Sequence, residues 1–275
     1  MDEQPQRADR DLMRMGGMAL ENGLLVYGPR HWAAAARAKD GQLLVQSGKV
    51  PRLRGPLDRV PGVRGVARLA ESMIVVPLVR AKLPQARLPF ERPEVAAAAA
   101  AALAFSFVAR RRRNRGISTE IAINLIGLAP ALISLRSGAT AQYHGAEHKA
   151  IAAYELGGDP SDPEVIAAAA KEHERCGSHL VAPMMLSAIA GDALMRRAIE
   201  RPGPVAQAGV GLAGAAASIE MFAYAERHPG GVFARLFRAP GFKLQEAIGT
   251  REPTESQLEV AAAAIERLLE AEGQR

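Results

Sequence analysis

Hydrophobic and polar positions change their period several times along this chain. From Gly16 to Ser47 the apolar residues come in short runs bounded by turn residues. Gly23-Leu24-Leu25-Val26-Tyr27 ends at Gly28-Pro29, and the runs 31–38 and 42–47 flank Lys39-Asp40-Gly41. Asp-Gly accepts positive φ at both central turn positions, so these runs predict a β-hairpin. Residues 49–93 are punctuated by seven prolines among arginines and glycines, which predicts loop with a short helix over 65–83. Two longer apolar runs follow. Val95–Ala109 has no charge, and Ile117–Leu135 has one, Glu120. Between them lies Arg110-Arg111-Arg112-Arg113-Asn114-Arg115. A membrane crossing needs about 20 apolar residues. The first run is short for that, and the second is long enough but holds Glu120, Asn124 and Pro130. The pair predicts a helical hairpin in contact with a membrane, its arginine bend among cytoplasmic headgroups. A buried hairpin with a solvated basic tip is the alternative.

Ala139–Leu156 predicts a helix, stopped by Gly157-Gly158-Asp159-Pro160. Asp162, followed by proline, is an N-cap for a second helix reaching about Arg175. Apolar helices at 178–199 and 204–227 predict a second hairpin set against the first. A loop follows at Pro240-Gly241, with a turn at Thr250–Pro253. A last helix starts at Thr254, where Thr254-Glu255-Ser256-Gln257 makes a capping box. Leu258, Ala261, Ala262, Ile265, Leu268 and Leu269 form its apolar stripe. The expected fold is therefore mainly α with a small N-terminal β region (α+β), its apolar helical hairpins packed together or against a membrane. The expected division is a flexible N-terminus at 1–14, a β-containing, Arg/Pro-rich region at 15–93, and a helical region bearing the motifs at 94–275.

Composition strengthens the helical reading: 48% of residues are apolar and only 4% aromatic, with alanine doing much of the apolar work. The single cysteine, Cys176, excludes an internal disulfide, and Met1–Arg14 has no apolar stretch of the signal-peptide kind. Both point to a site on the cytoplasmic side of the cytoplasmic membrane. The net charge of +6 is uneven: residues 49–116 hold fifteen Lys/Arg against four Asp/Glu. That is a solvated basic surface or a contact for anionic headgroups. Nucleic acid would also suit the charge, but the low aromatic content lacks stacking platforms, and no nucleic-acid partner is expected. Membrane lipid is the expected partner.

The chemistry gathers in residues 143–179. Tyr143-His144-Gly145-Ala146-Glu147-His148-Lys149 contains H-x-x-E-H. On a helix His144 and His148 share a face, and Glu147 lies beside them. Two imidazoles at this spacing can bind one divalent ion, with the glutamate placed to take a proton from water, the arrangement of inverted zincins. A catalytic zinc takes three protein ligands and keeps one position open. His173 and Cys176, three residues apart near the end of the next helix, are the further candidates, and a thiolate suits zinc better than magnesium. Four of the six histidines fall within 144–179, where even spreading puts about one. The alternatives are histidines satisfied by hydrogen bonds to Glu147, and Cys176 as a nucleophile paired with His173 or His144. His179 reads as a capping or packing residue. Tyr143 and Lys149 read as substrate contacts or as ordinary surface, and Glu252 as solvated or a remote ligand. Gly16–Gly23 lacks the Gly-Lys-Ser/Thr ending of a phosphate loop.

These residues resemble the YqhQ-like family of bacterial proteins of unknown function, described as predicted metal-dependent enzymes. The resemblance runs over roughly 15–270. It rests on Gly16–Gly23, Gly28–Ala33, Tyr143–Lys149, His173–Gly177, Pro240–Gln245, Thr250–Pro253 and Gln257–Ala261. It implies membrane proteins with a soluble, motif-bearing part. The sequence thus leads to a metal-dependent hydrolase at the cytoplasmic membrane, substrate unassigned. His144, His148, His173 and Cys176 are its candidate ligands for a divalent metal of the zinc type, and Glu147 its general base. A non-enzymatic membrane protein with a closed, structural metal site is the rival.

Overall fold

The structure, a computed structural model, describes residues 12–52, 60, 62–111, 116–200 and 202–274. The flexible terminus expected at 1–14 lies outside these residues up to residue 11, as do residues 112–115 of the arginine cluster.

Four strands open the fold: β1 (Gly16–Ala19), β2 (Gly23–Tyr27), β3 (His31–Arg37) and β4 (Leu43–Lys49). They form an antiparallel meander in chain order, with the Asp40-Gly41 turn joining β3 to β4 and Gly41 at φ 87°. The sheet is covered on both faces, which explains why its strands do not alternate cleanly. Leu24, Val26, Ala33 and Ala35 point to one core, Leu25, Trp32, Ala34 and Ala36 to the other. Alanine is a weak strand former, yet Ala33–Ala36 are fully buried at the heart of the sheet. Packing on both faces decides the conformation here, not propensity.

Ten α-helices follow among the described residues. α1 (Val63–Lys82) falls where a helix over 65–83 was expected and carries Pro77 inside it. Its Val75, Val76 and Val79 close the second core against Trp32. α2 (Pro93–Arg111) is followed by α3 (Ile117–Gly127) and α4 (Ala129–Leu135). The run 117–135 is thus not one unbroken helix: Pro130 has no N–H to give, and the chain re-enters at Leu128, the cap shared by α3 and α4. α5 (Ala139–Glu155) and α6 (Pro163–Ala168) come next, then α7 (Val181–Ala198) and α8 (Pro204–Arg227). α9 (Val232–Leu244) leads through a π turn, Gln245–Gly249, towards α10 (Glu255–Glu272).

α5 and α10 lie on the sheet's first face. The stripe Leu258, Ala261, Ala262, Ile265, Leu268 and Leu269 is buried there as its spacing predicts. The Thr254/Gln257 capping box is formed. Glu272, at the far end of α10, accepts from the backbone N–H groups of Arg30 and His31, both at 2.7 Å, and from Arg30 Nε at 2.9 Å. Gly28 leaves room for that carboxylate, because a Cβ there would sit 2.9 Å from Glu272 Oε1.

The stretches 93–111, 117–135, 177–198 and 204–227 are long and apolar enough to cross a membrane, and only 6–22% of each is buried inside the protein. Leu103, Phe107, Leu125, Leu194, Val205 and Leu212 stand exposed on them. So large an unburied apolar surface marks membrane association. Inward-facing polar groups pair between or along these helices: Glu120 with Arg110 at 3.2 Å, Asp192 with Arg196 at 2.9 Å, and Ser218 Oγ donating to Ser187 Oγ at 3.2 Å. α7 packs on α8 as the second hairpin expected, with Gly191 against Val210. By helix rise, Arg111 at the end of α2 lies about 28 Å from Pro93 at its start. Arg111 and the motif-bearing helix α5, which follows α4, therefore sit at opposite ends of the hairpin. If it crosses the membrane, only one of them faces the cytoplasm.

Candidate metal centre

α5 supplies His144, Glu147 and His148 from one buried side. Gly145, between them, is where the chain segment after the π turn crosses the helix. A Cβ at Gly145 would stand 2.2 Å from the Arg251 carbonyl oxygen, and the Arg251 N–H donates to the Ala141 carbonyl at 3.0 Å. That crossing brings the Gly249 carbonyl to 2.8 Å from His144 Nδ1. The π turn itself is closed by the Thr250 N–H on the Gln245 carbonyl, a one-residue-wider loop than an α-turn.

The second helix is shorter than expected. Asp162 caps it as predicted, accepting from the Glu164 N–H at 2.9 Å, but it ends at Ala168. Side chains of α5 capture its following carbonyls. Lys149 Nζ donates to Ala167 and Ala169 at 2.8 and 2.9 Å, and His148 Nδ1 meets the Lys171 carbonyl at 2.7 Å. His173 and Cys176 consequently stand on an irregular segment, not on a helix. Gln245, fully buried, holds that segment: its Oε1 accepts from the His173 N–H at 2.9 Å and its Nε2 donates to Ser178 Oγ at 3.0 Å.

The outcome is a cluster of His144, His148 and Cys176 whose ligand atoms all lie within 4.8 Å of one another. Each imidazole gives its Nδ1 hydrogen to a backbone carbonyl, which leaves the Nε2 lone pair as the ligating atom. His144 Nε2 is 3.5 Å from Cys176 Sγ. Burial, and then His144 nearby, holds the His148 pKa well below its ordinary value, so His148 is neutral, as a ligand must be. Burial pushes the Cys176 thiol up, opposite to the activation of a nucleophile. The donor set, two imidazoles and one sulfur, could hold a metal ion.

Glu147 is 5% exposed, and burial pushes its carboxyl up to about 7, against the pull of His144. It lies over β1, where a Cβ on Gly17 would meet Glu147 Oε1 at 2.5 Å. His173 stands outside the three-residue cluster. Its ring centroid is 5.6 Å from that of His148, and its Nε2 meets Glu155 Oε2 at 3.2 Å. His179 is a packing residue, as expected: its Nδ1 meets the Arg238 carbonyl at 3.0 Å, and its ring sits where a Cβ on Gly241 would clash. That contact also corrects the loop expected at Pro240-Gly241. Both residues lie inside α9, where the His179 ring packs against Gly241. Tyr143 and Lys149 are both buried, so neither is surface, and Glu252 pairs with Lys149 at 2.8 Å.

His144, Glu147 and Cys176 line a cavity of about 420 Å³. Gly17, Gln245 and the carbonyls of Gly249 and Lys171 escaped sequence reasoning. For Gly17 the signal was a glycine pair inside a strand, and for Gln245 the quoted Pro240–Gln245 motif. Carbonyl partners have no signal, since every residue carries one.

Comparison with known proteins gives one match. A family described as "Protein of unknown function (DUF1385)" matches residues 131–271, which takes in every candidate site residue. No curated protein and no solved structure matches the chain.

Proposed function

The chain belongs to this DUF1385 family of unknown function, and within it we propose a membrane-associated, metal-dependent hydrolase. The observation that carries this reading is a three-donor cluster two of whose members, His144 and Cys176, line a cavity together with Glu147. Three protein ligands and an accessible fourth position are the signature of a catalytic ion, whereas structural ions are enclosed by four. His144 Nε2, His148 Nε2 and Cys176 Sγ hold the ion in this reading. When bound, a zinc-type ion supplies Lewis acidity and makes water a nucleophile at neutral pH. Glu147 takes the proton from the attacking water, and a carboxyl already poised near neutrality suits that task. His173 keeps Glu155 as its partner and supports His148 by contact, so the closed four-ligand alternative has less to recommend it. The motif-bearing part faces the cytoplasm in this proposal, where a lone unpaired cysteine stays reduced.

The test is elemental analysis of purified wild type and His148→Ala. About one equivalent of zinc or a similar ion in wild type, lost in the variant, is expected. Wild type that takes up no metal after reconstitution with zinc, iron or manganese refutes the reading.

A further inference from the structure

The cavity beside the cluster is lined by two chemically different sets of residues. One set is His144, Glu147 and Cys176; the other includes Leu128, the cap before α4, Leu132 and Leu135 of α4, and Val181 of α7. The three leucines, with Ala131, stand at i, i+3, i+4 and i+7 and so share one helix face. The leucines are only half-buried and Ala131 is exposed, although all four line a cavity. Both wall segments belong to stretches with the length and composition of membrane crossings. The apolar lining therefore belongs to stretches that a membrane could cover, and the same cavity is lined by His144 and Cys176. Its volume lies within the roughly 300–1,000 Å³ typical of small-molecule sites. Water has few partners among leucines, so hydrocarbon is the natural filler.

We propose that this cavity admits the hydrocarbon chain of a membrane lipid, sideways from the bilayer past α4 and α7. The junction between that lipid's chain and its polar head is thereby presented to His144, Cys176 and Glu147. The substrate class is an amphiphile whose cleaved bond lies at that junction. Delivery to a reacting ion rests on the metal reading above, while entry of the chain stands on the cavity alone.

The experiment uses the full chain in phospholipid nanodiscs with a diazirine-bearing palmitate as photoprobe, and zinc content measured on the same samples. Wild type is expected to carry adducts in peptides spanning 128–135 and 176–181, competed by excess unlabelled palmitate. Leu132→Trp, and separately Ala131→Trp, should cut those adducts at least fivefold. Adducts on outward-facing Leu103 and Leu212 and the zinc content should stay unchanged. Adducts confined to outward positions, or cavity adducts that neither tryptophan nor competitor reduces, overturn the proposal. Because the wild-type adduct map and its competition need no variant, misfolding of a tryptophan variant does not remove the test. Zinc present without cavity adducts defeats the lipid proposal alone. Cavity adducts without zinc defeat the metal reading and leave lipid entry standing.

Discussion

Glu147→Gln should stabilise the metal-free protein, and increasingly so as pH rises. The side chain is 5% exposed and its carboxyl sits near 7, against an ordinary value of 4.5. A carboxyl whose folded pKa exceeds its unfolded one binds more protons in the folded state between the two values. Wild-type stability therefore falls as pH climbs from about 4.5 to about 7. At 1.36 kcal/mol per pKa unit the loss is about 3 kcal/mol, complete by pH 8. Glutamine keeps the shape and stays neutral throughout, so it escapes this loss. For a chain of this size, about 3 kcal/mol corresponds to roughly 6–12 °C in Tm. The assay is thermal unfolding of chelator-treated wild type and variant in the same detergent at pH 5 and pH 8. Taking the difference cancels the other titrating groups, which both proteins share. The expected result is near-equal Tm at pH 5 and a higher Tm for the variant at pH 8. Curves that run parallel from pH 5 to 8, or a wild type more stable at pH 8, would refute the burial argument for Glu147.

Other substitutions test other parts of the structure. Gly145→Ala places a methyl against the Arg251 carbonyl and should push the 249–252 segment off α5, costing about 1–3 kcal/mol by overpacking. By unseating the Gly249 carbonyl from His144 it should also weaken zinc binding about 10–100-fold, read by competition with a chromophoric chelator; unchanged affinity would separate that carbonyl from the site. Glu272→Ala leaves two backbone N–H groups at Arg30 and His31 without their acceptor and should cost about 1–3 kcal/mol in chemical denaturation, with zinc content unaltered. Cysteines placed singly at Gly116 and at Gly157, in a Cys176→Ser background, should differ in labelling by a membrane-impermeant maleimide on intact cells. Equal labelling of both would mean that the first hairpin does not cross the bilayer.

The parts of the site legible in the sequence were those fixed by spacing along one helix. His144, Glu147 and His148 come together because three- and four-residue steps return to one face, and no tertiary knowledge is needed. Cys176 joined them for a reason the sequence hid. The expected helix to Arg175 gives way because Lys149 and His148 take the carbonyls beyond Ala168, a competition invisible in the order of residues. The hairpin at Asp40-Gly41 and the α10 stripe were legible because turn chemistry and period are local. Pro240-Gly241 misled, since proline and glycine usually end helices, and the glycine's place inside one is explained by the His179 ring packed against it. β3 was legible from its turn and not from its composition: four consecutive alanines become strand only where packing presses on both faces.

The two-faced sheet also imposes an order of events during synthesis. β1–β4 are made first, yet one face of their core is completed by α10, about 220 residues later. At about 5–20 residues per second, that face waits roughly 10–45 seconds for its partner. Both apolar hairpins leave the ribosome in that interval, so they reach the bilayer before the sheet can close. Nascent chains paused ahead of residue 255 should accordingly be membrane-bound, with the sheet still sensitive to protease.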